Sequence, residues 1–130
     1  IAPSCLVVDC QDMIAEYERA DVALGAGGVS LLERLCCGLP SLIVTQSHNQ
    51  LGNVKMALDA GAIGLLGTAD SLDRTAVRAK IETLAHSPAT LNAMCKSGLE
   101  LVDGHGASRA AAQLGSFLRD YEDECSGRRN

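Results

Sequence analysis

Residues 25–40 read GAGGVSLLERLCCGLP, and their types and order suit the holding of a phosphate. Glycine has no Cβ, so the run Gly25-Ala26-Gly27-Gly28 lets an anion come close to backbone N–H groups. The apolar run Val22-Ala23-Leu24 precedes the glycines, and a segment with helical spacing follows until Gly38-Leu39-Pro40. A strand, a glycine turn and a helix start bring the free N–H groups of a first helical turn, and the positive end of its dipole, to one point. Gly27 and Gly28 let a phosphate approach the backbone there, and the Ser30 hydroxyl is a further donor. The same letters also admit a plainer reading. Ser30-x-x-Glu33 has the spacing of a capping box, whose side chains only finish a helix N-terminus, and Gly38-Leu39-Pro40 is an ordinary helix stop.

Two familiar phosphate sites are excluded. A dinucleotide fingerprint needs GxGxxG and an acid about 20 residues on, at the end of the next strand. Gly25 and Gly27 fit, but Ser30 stands at the third glycine position, and the next strand ends Val44-Thr45-Gln46 without a carboxylate. No Lys-Ser/Thr pair follows the glycines, so a Walker loop fails as well. No cofactor is expected. A second polar cluster, Gln46-Ser47-His48-Asn49-Gln50 with Asn53 one turn on, falls at the carboxyl end of a neighbouring strand, where open α/β sheets bind ligands. Amides and an imidazole without net charge suit hydroxyl and acetamido groups. Phosphate on one loop and sugar on the next describe a nucleotide-sugar; the alternative is a polar loop capping a helix, with Asn49 as the cap. His48 is the local candidate for acid–base work, set against a sugar contact or a loop hydrogen bond. His86 and His105 fall at helix boundaries and read as structural.

The elements that must position these residues follow from the apolar pattern. Strand candidates are Leu6–Val8, Val22–Leu24, Leu42–Thr45 and Ala62–Leu66, alternating with helical segments Asp12–Ala20, Val29–Cys37 and Asn49–Ala60. The third helix is expected to place Leu51, Val54 and Leu58 on one face. Such alternation implies right-handed crossovers and a parallel sheet. After Gly67 helices take over: Leu72–Ala85, then one opened by Ser87-Pro88, then a last one after Asp103-Gly104-His105-Gly106 with Ala110, Leu114, Phe117 and Leu118 inward. The expected fold class is α/β, a Rossmann-like parallel sheet flanked by helices with a helical C-terminal segment. Residues 1–120 form the expected domain, a piece of a longer chain, and 121–130 a charged, frayed tail.

Composition narrows the partners. The chain is 130 residues long, 47% hydrophobic and only 2% aromatic, so the core must come from Ala, Leu, Val and Ile. A net charge of −5 provides no basic stripe for nucleic acid, and too few aromatics are present to stack single-stranded bases. No apolar run approaches the roughly 20 residues of a membrane span, and the first residues lack the features of a signal peptide. Cys5, Cys10, Cys36, Cys37, Cys95 and Cys125 follow no metal-ligand spacing. They read as free thiols in a reducing cytoplasm, with Cys36 and Cys37 on a buried helix and no metal expected.

Taken together, GAGGVSLLERLCCGLP, the block SHNQLGNVKMALDAGA and Asp103-Gly104-His105-Gly106-Ala107-Ser108-Arg109 carry a family resemblance over roughly residues 5–120. The chain resembles the C-terminal, donor-binding half of GT-B enzymes of the peptidoglycan N-acetylglucosaminyltransferase type. It looks closer still to the UDP-sugar hydrolase of pseudaminic acid biosynthesis and its spore-coat polysaccharide relatives. The resemblance implies two Rossmann-like domains with substrate in the cleft, the N-terminal one supplying the catalytic group. It places the diphosphate on Gly27, Gly28, Val29 and Ser30, and the ribose hydroxyls on Glu33. Uracil falls to the backbone of Asp9 and Cys10, and the sugar to His48, Asn49 and Gln50. It implies hydrolysis of a UDP-linked diacetamido-trideoxy sugar by the whole protein, this part alone being inactive. Alternatives are the donor domain of a glycosyltransferase using UDP-N-acetylglucosamine or a similar sugar, and a nucleotide-sugar binding module without catalysis. Ala26 departs from the transferase motif, where serine is common.

Overall fold

The computed structural model describes residues 4–46 and 50–127. Three short strands, β1 (Ala23–Ala26), β2 (Ser41–Thr45) and β3 (Ile63–Thr68), form one parallel sheet in that order. Ala23 lies opposite Ser41, and Ser41 opposite Ile63, with a bulge after Ile43 against β3. Parallel neighbours need long crossovers; α2 (Val29–Cys36) and α3 (Leu51–Asp59) supply them. Helix α1 (Met13–Glu18) precedes the sheet, and α4 (Arg74–Ala85), α5 (Pro88–Leu101) and α6 (Gly106–Gly127) follow it.

Local chemistry sets the helix ends. Asp12 starts α1 by accepting from the Ala15 N–H at 3.1 Å, and Asp73 starts α4 by accepting from the Ala76 N–H at 2.8 Å. Helix α2 stops where Gly38 turns to a φ of 65°; its N–H donates to Leu35 O and the Leu39 N–H to Arg34 O, both at 2.9 Å. The chain therefore reverses within a few residues and enters β2 through Pro40. Because β2 is the middle strand, its alternating side chains enter two clusters. Ile43 packs with Leu31, Leu35, Val54, Ala57, Ala62 and Ile63, while Leu42 joins Leu84 and Met94. Both faces of the strand are thus covered, as a parallel sheet requires.

Several expectations are corrected. Leu6–Val8 forms no strand: it pairs with nothing among the described residues and Leu6 is 86% exposed. A strand is stabilised by its neighbour, and an apolar triplet without a paired edge has none. In α3 the buried face centres on Val54 and Ala57, leaving Leu51 and Leu58 largely exposed. In α6 Ala110, Leu114, Phe117 and Leu118 are exposed rather than inward, because nothing in the described fold lies against that stripe. Cys36 is half-buried and Cys37 exposed, so these thiols lie outside the core; Cys5, Cys10 and Cys95 are unbridged like them.

Candidate functional site

The carboxyl end of β1 runs into Gly27 and Gly28, and Gly28 is the N-cap of α2. Its backbone is extended, at φ −78° and ψ −157°, and it has no side chain to cap the helix. The N–H groups of the first turn are therefore open to a ligand. Ser30 is the second residue inside the helix, not its cap, so the capping box with Glu33 does not form. Among the described residues neither the Ser30 hydroxyl nor the Glu33 carboxylate has a hydrogen-bond partner. The two glycines differ. A Cβ at Gly27 would sit 2.1 Å from Val54 Cγ2, so this glycine admits α3 against the loop; a Cβ at Gly28 would meet nothing within 4 Å. Among the described residues nothing covers Gly28, and Val29 is 72% exposed.

The second expected cluster converges on the same place. Gln50 is the N-cap of α3, and its Cβ lies 3.6 Å from the Cβ position of Gly27. Its Oε1 accepts from the Gln46 N–H at 3.3 Å, closing the loop and leaving the amide NH2 to donate elsewhere. His48 and Asn49 lie outside the described residues. Glu33, one turn into α2, lines a groove of about 460 Å³ with Met13, Ile14 and Tyr17 of α1. Asp9 and Cys10 lead into α1. Asp9 holds a left-handed φ of 51°, unusual outside glycine but tolerated by aspartate, and its carbonyl accepts from Gln11 Nε2 at 3.0 Å. The structure so joins Gly27 to Gln50, and Glu33 to the helix that Asp9 and Cys10 precede.

One residue beside this site escaped the sequence reading. Arg34 is buried, and its Nη2 donates to Ala26 O at 2.8 Å. Burial pulls its pKa below the usual arginine value, against the opposing pull of Tyr17 and Glu33. The available signal was Gly25, which falls within β1, since a glycine in a strand often marks a close approach. Conversely, Asp103 and Arg109 complete each other. Asp103 Oδ1 accepts from the His105 N–H at 3.0 Å and Oδ2 from Arg109 Nη1 at 2.6 Å, which closes the turn into α6.

A parallel sheet flanked by helices, with its open loops at the carboxyl ends of adjacent strands, is a Rossmann-like α/β domain of the kind that makes half of a GT-B fold. No family model matches the chain. It is weakly homologous to two kinds of curated protein. It is 33% identical over 120 residues to the spore coat polysaccharide biosynthesis protein SpsG of Bacillus subtilis, covering 92% of this chain and 34% of that protein. It is 36% identical over 95 residues to the UDP-N-acetylglucosamine--N-acetylmuramyl-(pentapeptide) pyrophosphoryl-undecaprenol N-acetylglucosamine transferase of Shewanella sp. (strain MR-4), covering 69% of this chain and 26% of that enzyme. The same enzyme of strain ANA-3 is 38% identical over 88 residues, covering 64% of this chain and 24% of the enzyme. The chain thus spans about a third or less of the length of these relatives. The expected hydrolase activity is overturned: these relatives are named as a transferase and a polysaccharide biosynthesis protein, not as hydrolases. Among the described residues no helix is long and apolar enough to cross a membrane.

Proposed function

We propose that this chain is the nucleotide-sugar-binding domain of a GT-B glycosyltransferase-like protein of polysaccharide biosynthesis, with UDP-N-acetylglucosamine or a similar UDP-sugar as donor. The observation that carries the reading is the meeting of Gly27 with Gln50, which puts an uncapped helix N-terminus beside an amide side chain at the ends of adjacent strands. The diphosphate would lie on the N–H groups of Gly27, Gly28, Val29 and Ser30, where the α2 dipole offsets its charge. Glu33 would accept the ribose hydroxyls, the backbone of Asp9 and Cys10 would read uracil, and His48, Asn49 and Gln50 would face the sugar. As the anomeric C–O bond breaks, negative charge grows on the departing UDP, and fixed N–H donors stabilise it most at that moment. The catalytic base and the acceptor site would come from an N-terminal domain of the same protein.

Calorimetry tests the donor assignment. UDP and UDP-N-acetylglucosamine should bind this chain in preference to ADP, without turnover, since half a cleft holds nucleotide but does not close on the reacting sugar. Equal binding of ADP would remove the uracil assignment. In the full-length protein, labelled sugar should pass from the UDP donor to an alcohol acceptor; donor binding with no transfer to any acceptor tried would leave a binding module.

A further inference from the structure

We propose that Arg34 is a positioning residue for phosphate binding: its buried guanidinium holds the Ala26 carbonyl, fixes the peptide that enters the glycine turn, and backs that turn with positive charge. The inference rests on the reading of the turn as a diphosphate site. Arginine is seldom fully buried without a paired carboxylate, yet Arg34 is only 6% exposed. The side chain runs from the second turn of α2 back to β1, and the guanidinium lies over Gly25. A Cβ there would stand 2.3 Å from Nη1 and 3.1 Å from Cζ, so glycine is what makes the seat. Nη2 donates to Ala26 O, while the buried Nε has no partner among the described residues. No carboxylate forms an ion pair with Arg34 among the described residues.

A guanidinium does not shed its proton in a protein, so burial leaves a charge whose desolvation a single hydrogen bond to a neutral carbonyl offsets only in part. Replacing buried charged groups by apolar ones of similar volume is often neutral or stabilising. The location of the charge gives it a use. The Ala26 carbonyl and the Gly27 N–H belong to one planar trans peptide, so fixing the oxygen also fixes the direction of the N–H. Gly27 and Gly28 have more backbone freedom to lose than any other residues; a clamp on the peptide just before them reduces what a ligand must order. Out of water, the charge is also screened weakly and adds to the field of the α2 N-terminus. Both effects act on a phosphate-bearing ligand and not on an uncharged nucleoside.

The test compares UDP, inorganic pyrophosphate and uridine on the full chain by NMR titration, with thermal unfolding alongside. Arg34→Met keeps the stem and removes charge and donors. It should weaken UDP and pyrophosphate by about tenfold or more, leave uridine unchanged, and leave Tm unchanged or higher. Arg34→Lys retains the charge and a donor and should recover most of the UDP affinity. Gly25→Ala displaces the guanidinium without removing it and should weaken UDP as Arg34→Met does; with Arg34→Lys it decides the matter if the Met variant does not fold. Unchanged UDP affinity in the folded variants, or parallel losses for UDP and uridine, would overturn the inference, the latter marking Arg34 as scaffold only. If the wild type binds pyrophosphate in an Arg34-dependent way but shows no preference for UDP over ADP, the nucleotide assignment fails and this inference stands. A wild type that binds none of the three ligands sinks both.

Discussion

Two glycine-bearing turns dominate the sequence, and the structure treats them in opposite ways. The Asp103–Arg109 turn pairs its charges internally: one carboxylate takes a backbone N–H and a guanidinium. The Gly25–Glu33 turn leaves its business open. Its helix has no side-chain cap, Ser30 and Glu33 point to no partner among the described residues, and Arg34 is buried behind it with an unmatched Nε. Of these groups the Arg34 Nε is the buried one, and native proteins satisfy buried polar groups almost everywhere, so that exception asks for an explanation. The contrast teaches that glycine and charge alone do not mark a candidate site; what sets the open turn apart is a buried guanidinium with no carboxylate paired to it among the described residues.

The largest effect expected is on stability, and it separates the two glycines within the open turn. Gly27→Ala drives a methyl into Val54 and should cost about 1–3 kcal/mol, read as a clear drop in Tm. Gly28→Ala meets none of the described residues and should cost less than about 1 kcal/mol, alanine being a poor N-cap. Its methyl projects where a diphosphate would approach, so UDP affinity should fall about tenfold in calorimetry. A Gly28→Ala protein that binds UDP as the wild type does would put the ligand elsewhere.

Next comes Glu33→Gln, which sharpens the contrast because the capping alternative is already gone from the geometry. If the carboxylate accepts ribose hydroxyls, losing its charge weakens charge-assisted bonds, and a net loss of ~1.4 kcal/mol would lower UDP affinity about tenfold. Inorganic pyrophosphate should bind unchanged, and Tm should hardly move for an exposed side chain. A fall in pyrophosphate binding of the same size would show that the substitution perturbs the loop and not a ribose contact.

What was legible beforehand follows a physical division. Helices α1, α2, α4 and α5 and strands β2 and β3 were readable because apolar periodicity, Ser87-Pro88 and Gly38-Leu39-Pro40 are local signals. Leu6–Val8 and the apolar stripe of α6 were misread because burial depends on a partner surface, which a local pattern cannot supply. Of the site, the glycine turn and Gln50 were visible as types and spacing, but their contact through Gly27 depends on how α3 packs. Arg34 was not singled out on its short helix. Its partner is a backbone carbonyl eight residues away, and only Gly25 hinted at it.

The smallest effect belongs to the closed turn. The Arg109 hydrogen bond, aided by the His105 N–H, holds the Asp103 carboxyl below the usual carboxylate range. Its pKa is thus lower in the folded chain than the ~3.9 of unfolded aspartate. A carboxylate depressed in this way contributes stability above the unfolded pKa, and the contribution disappears as pH falls through the folded value. Both side chains are more than half exposed, at 63% and 52%, so solvent screens the pair and the effect should be slight. Asp103→Asn removes the titrating group. It should lower Tm slightly near neutral pH, and the gap from the wild type should close as pH drops below the folded pKa. UDP affinity at neutral pH should not change, because the turn is complete without a ligand. If Asp103→Asn weakened UDP as much as Glu33→Gln does, the closed turn would belong to the binding site, and internal satisfaction would lose its value as a sign of a purely structural motif.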